Sequence, residues 1–276
     1  MIQQNISWQS NDGLTFFAHI WEPDQKPKAV ITLVHGFGEH CMRYTPYLQY
    51  FINDGFAMLG FDHRGHGQTE GKRGTIKSYN ALMDDIEMAL NKTSELFPAI
   101  PHFIYGHSMG GNLVMNYLLR RTPNLKGAIV TSPWLALFND PNPVVKGLVS
   151  LLKNIIPNTT IESGLNTNYI STDKTEVEKY NTDPLNHGRI SFLLFDTITK
   201  TGKWAIANSS KLNIPVLLMH GADDKITSPK ASKQAYEGNK NWIEFKIWEG
   251  RYHELHNETN RVEVAETVLA WLKKNL

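Results

Sequence analysis

Three residue types, met in one chain order, could together activate a hydroxyl for attack on a carbonyl: Ser108, then Asp223 or Asp224, then His253 or His256. A serine hydroxyl is a poor nucleophile until a base takes its proton and a carboxylate orients that base. Ser108 lies in Gly106-His107-Ser108-Met109-Gly110, the Gly-x-Ser-x-Gly spacing of a nucleophile elbow, in which a tight strand-to-helix turn exposes the hydroxyl. Gly106 and Gly110 leave room for strand and helix to pass on either side of it. A lone aspartate after a strand is usually a solvated turn residue, and a lone histidine is more often structural. Here acid and base each follow an apolar run, in order, downstream of the elbow serine. Composition alone leaves the adjacent Asp223 and Asp224, and His253 and His256 three apart, as open alternatives.

Acyl transfer also needs two main-chain donors for the tetrahedral oxyanion. The N–H after the nucleophile, that of Met109, is one. The turn His35-Gly36-Phe37-Gly38 offers the other through Phe37, its glycines letting the backbone come close to a substrate.

These residues must be carried by regular elements. Ile6 to Ser10 and Leu14 to Trp21 flank Asn11-Asp12-Gly13, a hairpin signal. Ala29–Val34 reads as a strand buried on both faces, and Phe56–Phe61, His102–Tyr105, Gly127–Thr131, Ile214–Met219 and Ile243–Trp248 read as further strands. Helices are expected near Tyr44 to Asp54, ended by Gly55, and over Tyr79 to Phe97, Gly111 to Arg121 and Val262 to Lys274. Strands alternating with helices predict βαβ units, an α/β fold with a mostly parallel central sheet flanked by helices and ligands beyond the strand C-termini. The rhythm breaks at Pro133. Up to about Asn213 no strand is expected, and helices are expected over Val144 to Ile156 and Ile190 to Ala207. Residues 1–132 and 213–276 therefore read as the core domain, and residues 133–212 as an inserted helical cap over the site. The strongly apolar Val144 to Ile156 stretch suits packing on the core or contact with lipid aggregates, and core packing is the preferred reading.

The 276 residues suffice for one large α/β domain with an insertion. With 28 Lys+Arg against 27 Asp+Glu, there is no bulk field for nucleic acid or an anionic membrane. A single cysteine, Cys41, gives neither a disulfide framework nor a cysteine-rich zinc site, and reads as a small partly buried residue. The first residues carry neither a basic nor an apolar signal stretch, and no run approaches a spanning helix, so a soluble, cytoplasmic protein is expected.

Four motifs together resemble the monoacylglycerol lipase/lysophospholipase family of α/β-hydrolases. They are His35-Gly-Phe-Gly-Glu-His40 with Arg43-Tyr44, Phe61-Asp-His-Arg-Gly-His-Gly-Gln-Thr-Glu-Gly71, Gly106-His-Ser-Met-Gly-Gly111, and Glu249-Gly-Arg-Tyr-His-Glu-Leu-His256. Thr182-Asp-Pro-Leu185 also fits the family; the rest of the cap fits it least. The resemblance implies Asp224 as the acid and His253 as the base. It implies that Glu39, Arg43 and His256 hold a polar head such as glycerol, and that the Asp62, His63, Arg64 and His66 turn is a structural network rather than a metal site. His107 reads as structural. The implied activity is hydrolysis of single-chain lipid esters through Ser108, without cofactor or metal. A lysophospholipase or short-chain carboxylesterase shares every motif, and a non-catalytic binding protein would normally have lost a triad member. A haloalkane dehalogenase would need aspartate at position 108.

Overall fold

The computed structural model describes residues 2–276, Met1 lying outside them. The chain opens with β1 (Ile2–Gln9) and β2 (Thr15–Glu22), antiparallel and closed by a turn in which Gly13 takes φ 86°. There follow β3 (Ala29–Val34), α1 (Thr45–Asn53), β4 (Phe56–Phe61), α2 (Tyr79–Leu96), β5 (His102–His107), α3 (Met109–Arg120) and β6 (Gly127–Thr131). The chain then leaves the sheet for α4 (Pro143–Ile155), β7 (Thr160–Glu162), α5 (Lys174–Thr182), β8 (Arg189–Ser191) and α6 (Phe192–Asn208). It returns through β9 (Val216–Gly221), α7 (Pro229–Glu237), β10 (Ile243–Trp248) and α8 (Arg261–Lys274).

Eight strands form one sheet in the order β1-β2-β4-β3-β5-β6-β9-β10. From β4 to β10 every pairing is parallel, and β2 joins β4 antiparallel. Alternation along β3 explains why a continuously apolar strand suits this place. Val30 and Val34 enter the core built with α2, α3 and α7, whereas Ala29, Ile31 and Leu33 enter the opposite core beneath α1 and α8. From β3 the chain steps to β4 on one side and places β5 on the other. The crevice beyond the C-terminal ends of β3 and β5 is therefore a topological switch point, where open α/β sheets bind ligands.

Several expectations are corrected. Strand β5 runs on to His107 and α3 starts at Met109, two residues before Gly111, because the elbow turn is a single residue long. Strand β9 begins after Pro215, whose ring nitrogen cannot donate to the ladder. Helix α7, Ser-capped through Ser228 Oγ, is an element the apolar pattern did not announce. Between β6 and β9, where no strand was expected, β7 and β8 pair as a two-stranded antiparallel ribbon. Cys41 is wholly rather than partly buried, and burial pushes its thiol pKa well up. The preferred reading of α4 also fails. None of its residues is buried, and Val144 and Ile155 are 80% and 67% exposed, so it does not pack into the core.

Candidate active site

The backbone at Ser108 has φ 53° and ψ −115°, a region that costs a non-glycine residue roughly 1–3 kcal/mol and persists only where the surroundings impose it. They do so here. The Ser108 N–H donates to Thr131 O at 3.0 Å, and Ser108 O accepts from Trp134 N at 2.8 Å and Asn112 N at 3.0 Å. A side chain at Gly110 would collide with the carbonyls of Val34 and His35, and one at Gly106 with Val114 and Gly110 O. The turn following β3 and the elbow therefore abut without a side chain between them.

Ser108 Oγ lies 2.9 Å from His253 Nε2, and His253 Nδ1 lies 2.7 Å from Asp224 Oδ2. An ionised carboxylate only accepts, so Nδ1 carries the proton and Nε2 faces the serine hydroxyl as acceptor. Asp223 and His256 are not the pair that meets. Asp224 is itself fixed on every side. Its Oδ1 accepts from Ile226 N at 2.7 Å and Thr227 N at 3.0 Å, and its Oδ2 from Thr227 Oγ1 at 2.9 Å and His220 Nε2 at 3.0 Å. Burial disfavours the Asp224 charge, but His253 and His220 outweigh it and hold the carboxyl far below its usual range. Burial likewise opposes protonation of His253, yet the Asp224 carboxylate carries its pKa above 6.5.

Among the described residues the main-chain N–H groups of Phe37 and Met109 take no part in the loop hydrogen bonding that ties down their neighbours; Met109 directly follows Ser108, and Phe37 lines the same cavity as Ser108. Around them lies a buried ionic cluster. Glu39 Oε1 accepts from Gly36 N at 2.6 Å and from the Tyr44 hydroxyl at 2.8 Å, and Oε2 from Arg43 Nη1 at 2.5 Å. Arg43 also makes a bidentate pair with Glu254, at 2.7 and 2.8 Å, and lies 4.6 Å over the Tyr180 ring. Burial raises the Glu39 pKa; for Glu254 burial is outweighed by Arg43 and the pKa falls to about 2. His256 is fully buried and stacked on Tyr44 with ring centroids 4.1 Å apart, and burial lowers its pKa to about 3. Neither of its ring nitrogens has a partner among the described residues.

A cavity of about 630 Å³ opens above Ser108. Its floor includes Glu39, His107, His253 and Glu254, and the opposite wall is largely apolar, with Trp134, Val145, Val149, Ile161 and Phe195 beside the polar Asn139, Glu162 and Asn166. Arg43 and His256 stay behind that floor. His107 Nδ1 pairs with Thr131 Oγ1 at 3.0 Å. Glu254, His220 and Tyr180 escaped sequence reasoning because their partners are tertiary. The one hint was a charge, Glu254, set between His253 and Leu255.

The Asp62 turn is tied to its surroundings by hydrogen bonds and ion pairs. Asp62 accepts from Cys41 N and Gln68 N, His63 N donates to His35 Nε2, and Arg64 pairs with Asp85 and Asp12. Among the described residues no group of three His, Cys, Asp or Glu side chains is arranged to hold a metal ion.

Against known proteins, the chain is 35% identical over 270 residues to an uncharacterized abhydrolase domain-containing protein of Dictyostelium discoideum, covering 97% of this chain but only 28% of that protein. It is 27% identical to a monoacylglycerol lipase of Mycolicibacterium smegmatis, over 96% of this chain and 95% of that one. The crystal structure of Paleococcus ferrophilus monoacylglycerol lipase superposes with a TM-score of 0.86 at 29% identity, over 95% of this chain and 99% of that one. The model of the Hydrolase_4 family, serine aminopeptidase S33, matches residues 25–260. A match of that extent is not a local motif, and by it the chain belongs to the serine aminopeptidase S33 family of α/β-hydrolases, among the monoacylglycerol lipase relatives its motifs resemble.

Proposed function

We propose that this protein is a serine hydrolase of carboxylic esters that cleaves monoacylglycerols and similar single-chain lipid esters into fatty acid and alcohol. The observation that carries the reading is the 2.9 and 2.7 Å relay of Ser108, His253 and Asp224 at the polar floor of an apolar-walled cavity. Ser108 Oγ attacks the ester carbonyl as His253 Nε2 takes its proton, and Asp224 stabilises the imidazolium. The Phe37 and Met109 amides hold the oxyanion, each such donor being worth about 3–4 kcal/mol in the transition state. His253 then protonates the leaving alcohol, and water hydrolyses the acyl-enzyme by the same steps in reverse.

In this reading residues 133–212 act as a cap. The cavity walls supplied by α4, β7 and α6 receive the acyl chain. The outer face of α4 meets the lipid aggregate in which such substrates reside. Its apolar side chains are unpartnered by core, and two residues of the same helix, Val145 and Val149, line the cavity.

The test is hydrolysis of monoolein, lysophosphatidylcholine and p-nitrophenyl butyrate by the wild type and Ser108→Ala. Turnover of monoolein that disappears in the variant is the expected result. Activity on the short ester alone moves the assignment to a short-chain carboxylesterase, and preference for lysophosphatidylcholine to a lysophospholipase. Activity surviving in Ser108→Ala overturns the mechanism.

A further inference from the structure

Arg43 and Glu254 stand 211 positions apart in the chain, yet their planar ends meet in two parallel hydrogen bonds inside the protein. Tracing those bonds outward gives a continuous path. Glu254 directly follows His253 and donates its own N–H to Ile170 O at 2.7 Å, while Asn257 Nδ2 donates to its Oε2 at 2.8 Å. From Glu254 the path runs through Arg43 to Glu39, and from Glu39 Oε1 to the N–H of Gly36, the residue directly before Phe37. The Glu39 carboxylate presses on this turn so closely that a Cβ at Gly36 would lie 2.7 Å from Oε1, and 3.1 Å from Ser108 Cβ on the other side. One end of the path is thus the peptide unit immediately before the one that carries the Phe37 N–H, and the other is the loop that carries the base.

We propose that Glu39, Arg43 and Glu254 are positioning residues, a buried strut that fixes the Phe37 amide relative to the His253 ring, rather than ligands for the leaving alcohol. This rests on the proposed function, in which Phe37 supplies an oxyanion donor. Three observations favour the strut over alcohol binding. Arg43 has its guanidinium committed to two carboxylates and a tyrosine face, away from the cavity. His256 is sealed behind the floor. Glu39 and Glu254 line the cavity, but Glu39 already accepts from Gly36, Tyr44 and Arg43, and Glu254 from Arg43 and Asn257. A bidentate pair fixes relative orientation as well as distance, and sub-ångström placement of an oxyanion donor is what acyl transfer demands.

The experiment compares p-nitrophenyl butyrate with 1-monobutyrin, which share an acyl chain but only one of which leaves as a polyol. Glu254→Gln is expected to lower kcat about tenfold or more on both esters by the same factor, with KM held within about twofold. Tyr44→Phe, a milder change that removes only the hydroxyl bonded to Glu39 and keeps the ring, gives a smaller loss shared equally by the two. Glu39→Gln keeps an acceptor for the Gly36 N–H and so retains more kcat than Glu39→Ala on both. A loss confined to monobutyrin and read in KM makes these residues alcohol ligands and overturns the strut, as does unchanged kinetics in every variant. Ser108→Ala separates the two levels. If that variant retains activity the underlying mechanism fails, whereas if it is dead the strut alone is on trial.

Discussion

At the residue scale, the site depends on one histidine kept chargeable among others kept neutral. The His107 ring lies 4.8 Å from that of His253, and burial lowers its pKa well below 6.5, so it adds no competing charge at neutral pH. His253 shifts the other way. Because the base must be neutral to accept the serine proton, kcat/KM is expected to fall as pH drops through a pKa above 6.5, and a rate flat from pH 5 to 8 would exclude His253 as base. The same geometry separates the adjacent aspartates. Asp224→Asn should cost about four orders of magnitude in kcat by disturbing the tautomer of His253, while Asp223→Asn leaves kcat nearly unchanged in the same assay. That distinction was not legible in the residues themselves. Two adjacent carboxylates after a strand look alike, and only the turn that points one of them inward, with Ile226 and Thr227 amides on it, makes them different.

At the scale of elements, close approaches hold the excursion between β6 and β9 onto the sheet domain. Helix α6 crosses at Gly202, where a Cβ would collide with the backbone of Leu135, and Asn112 of α3 donates to Ile198 O of α6 at 3.1 Å. Gly202→Ala should therefore destabilise by about 1–3 kcal/mol through overpacking, read as a lower urea midpoint with an unchanged m-value. Helix α4 makes the opposite prediction. Leu148→Gln and Leu151→Gln alter side chains that are 53% and 57% exposed, so stability should move by no more than about 0.5 kcal/mol. Turnover of monoolein in micelles should drop while turnover of dissolved p-nitrophenyl butyrate stays, and a parallel drop in both would remove the lipid-facing role. Periodicity found α4 because its apolar spacing is strong. It could not tell which surface that apolar face would meet, since an amphipathic helix looks the same over a core as over solvent.

At the scale of the whole molecule, many imidazoles are stored uncharged. Burial lowers the pKa of His63, His102 and His187 to about 4 and of His256 to about 3. Each is lower in the folded than in the unfolded chain, so the unfolded state binds more protons below pH 6.5. The stability they contribute is full above that pH and is lost progressively as pH falls toward 4, each unit of separation being worth about 1.4 kcal/mol. His253 has the opposite sign, and so does Asp85, which burial raises to about 6, but they are outnumbered. Urea midpoints measured from pH 8 to 5 should decline from about pH 6.5 downward, and a constant midpoint to pH 5 would contradict the buried-neutral assignment. The sequence by itself determined what local chemistry can write. The strand runs of β3, β4 and β6 were read to the residue, because both faces of a central strand must be apolar, and that of the edge strand β10 because turn residues bound it. The elbow was recognised from its Gly-x-Ser-x-Gly spacing, although β5 and α3 close on Ser108 more tightly than expected and Gly110 is demanded by the distant carbonyls of Val34 and His35. What only the tertiary structure decided were relations across the chain: the Arg43–Glu254 pair, the burial of His256 behind the cavity floor, the β7–β8 ribbon and the exposure of α4. Each depends on which distant surface a side chain meets, and that is fixed by packing of the sheet and the excursion over it rather than by any pattern along the backbone.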